Sequence, residues 1–135
     1  MNIKRLNRLI TILERVKAEH LPFDMSEWIQ AHSCGTRCCA MGYAALDADF
    51  QKEGLALEVG GVQCNTIHDY NATNAGFIGP TIRYKDCEQF AAVAAFFEIH
   101  RNLAYELFCE AAGITTTISQ LICNIKQAIG RGASA

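Results

Sequence analysis

Between Ser33 and Gly42 the chain sets Cys34, Cys38 and Gly42 four residues apart, a line that holds only small side chains. Read as a helix, that spacing stacks the three along one stripe, where a second stretch of backbone can come into contact. Cys39, Tyr43 and Leu46 make the adjoining apolar stripe. The reading is a tight turn that runs into a central helix over residues 36–46. The amides of Gly35, Thr36 and Arg37 then stand at its positive end, beside a hydroxyl and a guanidinium. Such a start is either a structural turn or an anion site.

The flanking segments read as mainly helical. Ile3, Leu6, Leu9, Ile10, Leu13 and Val16 recur at helical spacing, so residues 3–19 predict an amphipathic helix that Leu21-Pro22 ends. Its basic face (Lys4, Arg5, Arg8, Arg15, Lys17) reads as solvated. Asp24 with Glu27 marks a capping box for a short turn that carries Trp28 as a core anchor. Asp47 and Asp49 open another short turn, which Gly54 closes as a left-handed cap. Residues 55–59, Gly60-Gly61 and Val62 onward suggest a small hairpin. Residues 63–80 show no period and read as a long loop.

Thr81, Arg83 and Lys85 alternate with Ile82 and Tyr84, as in a short strand with one basic face. Asp86 with Gln89 is expected to cap a helix over residues 87–97, apolar nearly all round and so buried. After a break at residues 98–101 comes a helix carrying Leu103, Ala104, Leu107 and Phe108, stopped by Gly113. Thr116 or Thr117 caps a last helix with a stripe of Ile118, Leu121, Ile122, Ile125 and Ile129, ended by Gly130. The expected architecture is one mainly α, bundle-like domain over residues 1–130, with a small hairpin and a frayed tail at 131–135.

Composition narrows the function classes. Half of the 135 residues are hydrophobic, yet the longest apolar run, residues 90–97, is far too short to span a bilayer. No signal-peptide pattern opens the chain, so a soluble cytoplasmic protein is expected. The seven cysteines are odd in number and several sit in apolar patterns, which points to reduced, buried thiols and not to a disulfide framework. A net charge of −2 disfavours a strong, nonspecific nucleic-acid binder and an acidic DNA mimic alike, and with no spanning segment no membrane partner is expected.

The order of the pieces resembles a family of uncharacterised proteins encoded by bacteriophages and some bacteria. The resemblance rests on the basic first helix, Phe23-Asp24-Met25-x-x-Trp28, Cys34-Gly35-Thr36 with Cys39 three residues on, and Gly42-x-Ala44-Ala45-Leu46. A later alanine-rich segment ending Phe96-Phe97 precedes Ala104-x-x-Leu107-Phe108. In the family spacing Arg37 and Cys38 fall at variable positions; here 38 and 39 are both cysteine, so no unique thiol role carries over. What the resemblance implies is a setting, a phage genome acting in the host cytoplasm, and no assigned activity.

Three functional readings follow from the residues. Cys34-x3-Cys38 and Cys64-x3-His68 pair soft ligands, as a zinc-binding regulator would, although structural zinc sites favour shorter spacings. Cys34 with His32 or His68 as base outlines a nucleophile, but no orienting carboxylate is evident except Asp69. The segment 91–108 has helix-turn-helix spacing, but its second helix presents glutamates that phosphates repel. The third and preferred reading is noncatalytic: a phage-type anti-defense protein that sequesters an anionic, nucleotide-like host signal. Gly35, Thr36, Arg37 and Arg83 are expected to hold phosphate, Tyr70 or Tyr84 to stack on a base, and His68, Asp69 and Asn71 to read its edge. The alternative is an interaction module that inhibits a host protein. No catalytic residue, metal or cofactor is assigned, and the isoleucine stripe of the last helix suggests a homo-oligomer.

Overall fold

The fold was obtained as a computed structural model. It describes residues 1–23, 28–32, 35–73, 79–108 and 117–133, and for residues 30–32, 35–37 and 133 the backbone alone. The elements in chain order are helix α1 (Ile3–Ala18), strands β1 (Ile29–His32) and β2 (Gly35–Cys38), and helices α2 (Ala40–Ala45) and α3 (Ala48–Lys52). Strands β3 (Ala56–Val59) and β4 (Val62–Cys64), helix α4 (Ile67–Ala72), and strands β5 (Thr81–Tyr84) and β6 (Cys87–Glu88) follow. Helices α5 (Gln89–Phe97), α6 (Arg101–Phe108) and α7 (Ile118–Ala133) complete the described chain.

The protein is mainly α, as expected, but it is not built as a bundle. A four-stranded antiparallel sheet in the order β4-β3-β5-β6 forms a layer, and β1 pairs with β2 as a separate antiparallel hairpin. The sheet sends Leu57, Val59, Ile82 and Tyr84 inward and Glu58, Thr81 and Arg83 outward, the period-two alternation of a half-buried sheet. Helix α5 lies on the inner face, and α1 packs against α2, α5 and α7. Their junction is an aromatic cluster. Phe50, Phe96 and Phe97 are buried with edge-on contacts, and Tyr84 meets Phe96 at 5.1 Å between centroids.

The largest departure from the sequence reading is the central segment. Residues 35–38 are a strand, not the first turn of a helix: Gly35 pairs with His32, Thr36 with Ala31, Arg37 with Gln30 and Cys38 with Ile29. Cys38 also bridges to Phe23 in parallel. The backbone of 35–38 thus finds its partners in the preceding strand and at Phe23, which a periodicity within the segment does not register. The helix starts only at Ala40, after an extended Cys39 whose amide donates to the Trp28 carbonyl. Gly42 nevertheless does what its small size suggests: a Cβ built there would stand 1.9 Å from the Trp28 carbonyl oxygen and 3.0 Å from the Cys38 Cβ. Ser33 and Cys34, and the Asp24–Glu27 capping box, lie outside the described residues, as does Gly113.

Several further expectations are met and several corrected. Asp47 caps α3 by accepting from the Phe50 amide, and Gly54 takes the left-handed cap at φ 103°. Gly60 and Gly61, both at positive φ, turn the β3–β4 hairpin. Thr117 caps α7 by accepting from the Gln120 amide. Residues 87–88 form β6 and not the first helical turn; Gln89 does not act in a capping box, and its side chain instead accepts from the Ile82 amide. Helix α5 is buried on one face only, through Ala92, Val93, Phe96 and Phe97, while Ala95 is exposed. Trp28 is half-buried, packed against the edge of the core and against Phe90. The isoleucine stripe of α7 docks on α1 within the chain, so it does not supply the surplus face from which a homo-oligomer was expected. Gly130 does not end that helix, which runs on to Ala133 with Gly132 against the Met1 side chain. Among the described residues no helix is long and apolar enough to cross a membrane.

Candidate functional site

The residues singled out from sequence do not come together. Gly35, Thr36 and Arg37 lie on β2, in the hairpin. Arg83 and Tyr84 lie on β5, two strands away from β4, and His68, Asp69, Tyr70 and Asn71 lie on α4, which packs against β4. Arg83 is not the centre of a basic face. Its guanidinium donates to Glu58 at 2.9 Å and to Glu88 at 2.6 Å, so the outer sheet surface is charge-balanced there. Tyr84 is buried against Phe96 and is not exposed for stacking on a base.

The segment read as a long loop contains α4, started by a capping box. The Thr66 hydroxyl accepts from the Asp69 amide, and the Asp69 carboxylate accepts from the amides of Asn65 and Thr66 at 3.0 and 3.2 Å. Asp69 is therefore a structural cap. Tyr70 is half-buried against the core, and His68 and Asn71 are exposed. Asn74 and Phe77, which the sequence sets in the same polar and aromatic stretch, lie outside the described residues.

Cys38 and Cys64, the described cysteines of the two ligand pairs read from sequence, are buried and not placed as reactive thiolates. Cys38 is buried, and that burial, with Cys39 adjoining, pushes its thiol up to about 12, far from a reactive thiolate at neutral pH. Cys64 is buried at the end of β4 and its thiol is likewise raised, by burial first and the Asp69 charge second, while His68 is exposed on α4. Among the described residues no group of three or more His, Cys, Asp or Glu is placed to hold a metal ion.

A cleft of about 530 Å³ lies instead between α1, the α2–α3 turn and the start of α4. That volume is within the ordinary range of small-molecule sites. Arg8, Thr11, Ile12, Arg15 and Val16 supply one wall, at the spacing of a single helical stripe. Leu21, Tyr43, Leu46 and Ile67 add apolar surface, and Asp47, Asp49, Asn65 and Thr66 form a polar margin. Burial raises the Tyr43 phenol, followed by the effect of Cys38, and its hydroxyl donates to the Pro22 carbonyl.

The charges of the cleft are arranged unequally. Arg8 grips Asp47 through two nitrogens, at 2.7 and 3.4 Å, and reaches Asp49 at 3.4 Å. Asp47 is mostly buried and also caps α3, so this pair is built into the frame. Arg15, two turns along, has a side chain 75% exposed and among the described residues pairs with Glu19 alone, on its own helix, at 3.0 Å. An exposed pair of that kind contributes little and exchanges readily for another anion. The cleft thus offers one exchangeable cation, an apolar floor, and hydroxyl, amide and carboxylate groups on the far margin. Sequence reasoning missed it because its walls come from three separated segments. The one visible signal was the Arg8–Thr11–Ile12–Arg15 stripe. Compared with protein-family models, curated proteins and solved structures, the chain matches none.

Proposed function

We propose that this is a noncatalytic binding protein whose cleft between α1, the α2–α3 turn and α4 holds a small anionic ligand of the nucleotide type. The observation that carries the reading is the pairing of an exchangeable guanidinium, Arg15, with an apolar floor in a cavity of about 530 Å³. Arg15 takes the phosphate. Ile12, Leu46 and Ile67 take the flat apolar face of a base, and the Asp49 carboxylate and Asn65 amide accept from or donate to sugar hydroxyls and the base edge. In the phage setting that the sequence resemblance implies, holding such a molecule without turning it over sequesters a host signal, an anti-defense role.

Calorimetry with linear and cyclic nucleotides tests the reading. The parent protein binds at least one of them, and Arg15→Ala weakens it more than tenfold, since a hydrogen bond to a charged group is worth about 1.5–3 kcal/mol. Ile12→Asp abolishes binding by placing a carboxylate on the floor. Arg37→Ala and Arg83→Ala, which change the residues first suggested by sequence, leave it intact. Loss of binding in those two with Arg15→Ala unaffected moves the site out of this cleft. Absence of any nucleotide binding by the parent discards the ligand class and favours the protein-inhibitor alternative.

A further inference from the structure

The other flank of α1 carries a second cavity, of about 740 Å³, between the end of that helix and the first turns of α7. Its lining is Glu14, Lys17, Ala18, His20, Ser119, Ile122 and Lys126. Glu14, Lys17 and Ala18 stand one turn apart on α1, and Ser119, Ile122 and Lys126 do the same on α7, so two helix flanks face each other across it. His20, held at φ 53° just after α1, brings an imidazole to the same rim.

The electrostatics differ from those of the first cleft. Arg5, Arg8 and Arg15 of α1 each meet a carboxylate. Among the described residues Lys17 has no ion pair: its ammonium donates across the groove to the neutral Ser119 hydroxyl. Lys126 has no ion pair among the described residues. Two lysines from segments far apart in sequence therefore converge with a histidine on a groove whose lining holds the single carboxylate of Glu14. Ser119 lies in the first turn of a 16-residue helix, whose dipole adds to the positive potential.

We propose that this groove is a second binding site, separate from the cleft, that takes a phosphoryl-bearing polyanion through Lys17, Lys126 and the Ser119 hydroxyl. A linear diphosphate spans the two ammonium groups, each lysine neutralising one phosphoryl group, and displaces Lys17 from its contact with Ser119.

Titration with inorganic pyrophosphate in chloride buffer, followed by calorimetry and by amide shifts in the two helices, tests this directly. Pyrophosphate is expected to bind and to shift amides of residues 117–122, with an affinity that falls as salt rises. Lys126→Ala should weaken it at least tenfold and Lys126→Arg should restore it. Both side chains are exposed, so the variants are expected to melt as the parent does. Arg15→Ala, in the other cleft, should bind pyrophosphate as before, which keeps failure of one site distinct from failure of the other. A nucleoside triphosphate that binds with the same lysine dependence also supports the site. No pyrophosphate binding by the parent, or unchanged binding by the Lys17→Ala/Lys126→Ala double variant, overturns it.

Discussion

At Gly42 a single hydrogen decides whether two segments can meet. An added Cβ would lie 1.9 Å from the Trp28 carbonyl oxygen, and that carbonyl cannot retreat freely because it accepts the Cys39 amide. Gly42→Ala is therefore expected to destabilise by about 1–3 kcal/mol, the usual cost of overpacking, although alanine is the better helix former. Urea unfolding checks it, and an alanine variant as stable as the parent removes the close-approach argument. Cys38 gives a pH signature. Its thiol is raised from 9.0 to about 12 by burial and then by Cys39, so the unfolded chain ionises first. The sign follows: its contribution is whole below pH 9 and is lost as pH rises from 9 towards 12. Between pH 8 and 10 the loss should be about 1 kcal/mol. Denaturation of the parent and of Cys38→Ala at both pH values measures it; equal slopes for the two proteins exclude Cys38 as the source.

At the level of elements, the sequence shows most clearly what is local. Helix α1 was legible because five core residues recur along one face, and the α3 cap, the Gly54 terminus and the diglycine hairpin were legible because each depends on residues a few positions apart. The β1–β2 hairpin was misread as a helix start because its pairing partner, residues 29–32, leaves no periodic mark on residues 35–38. Helix α4 was legible in principle: Thr66-x-x-Asp69 is a capping pattern, overlooked because the segment after it lacks an apolar stripe. The candidate site fared worse for the same reason. Its residues come from α1, the α2–α3 turn and the start of α4, and only tertiary packing brings Arg15 opposite Asp49 and Asn65.

Across the whole molecule, the basic face of α1, expected to be merely solvated, is part of what joins the layers. The last four carbonyls of α5 lack partners within their own helix, as at any helix end. Here each is accounted for: Ala94 accepts from Ile99, Ala95 from Glu98, Phe97 from the Asn2 amide at 2.7 Å, and Phe96 from the Arg5 guanidinium at 2.7 Å. The same guanidinium pairs with Glu53 just after α3 and lies 4.2 Å from the Phe96 ring centroid. One side chain thus ties α1 to the C-terminal end of α5, where a cation is favoured, and to the segment that follows α3. Its side chain is only 16% exposed, so removing it leaves the Phe96 carbonyl short of a partner. Arg5→Ala is expected to cost about 2 kcal/mol, allowing for the half-open Glu53 side of the pair. Arg5→Lys should recover less than half of that, because a point charge cannot bond the carbonyl and Glu53 while stacking on the ring. Urea unfolding of the three proteins at low and high salt gives the answer. If Arg5 acts only through surface charge, high salt erases the differences; if it acts as the joint described, most of the loss persists in salt.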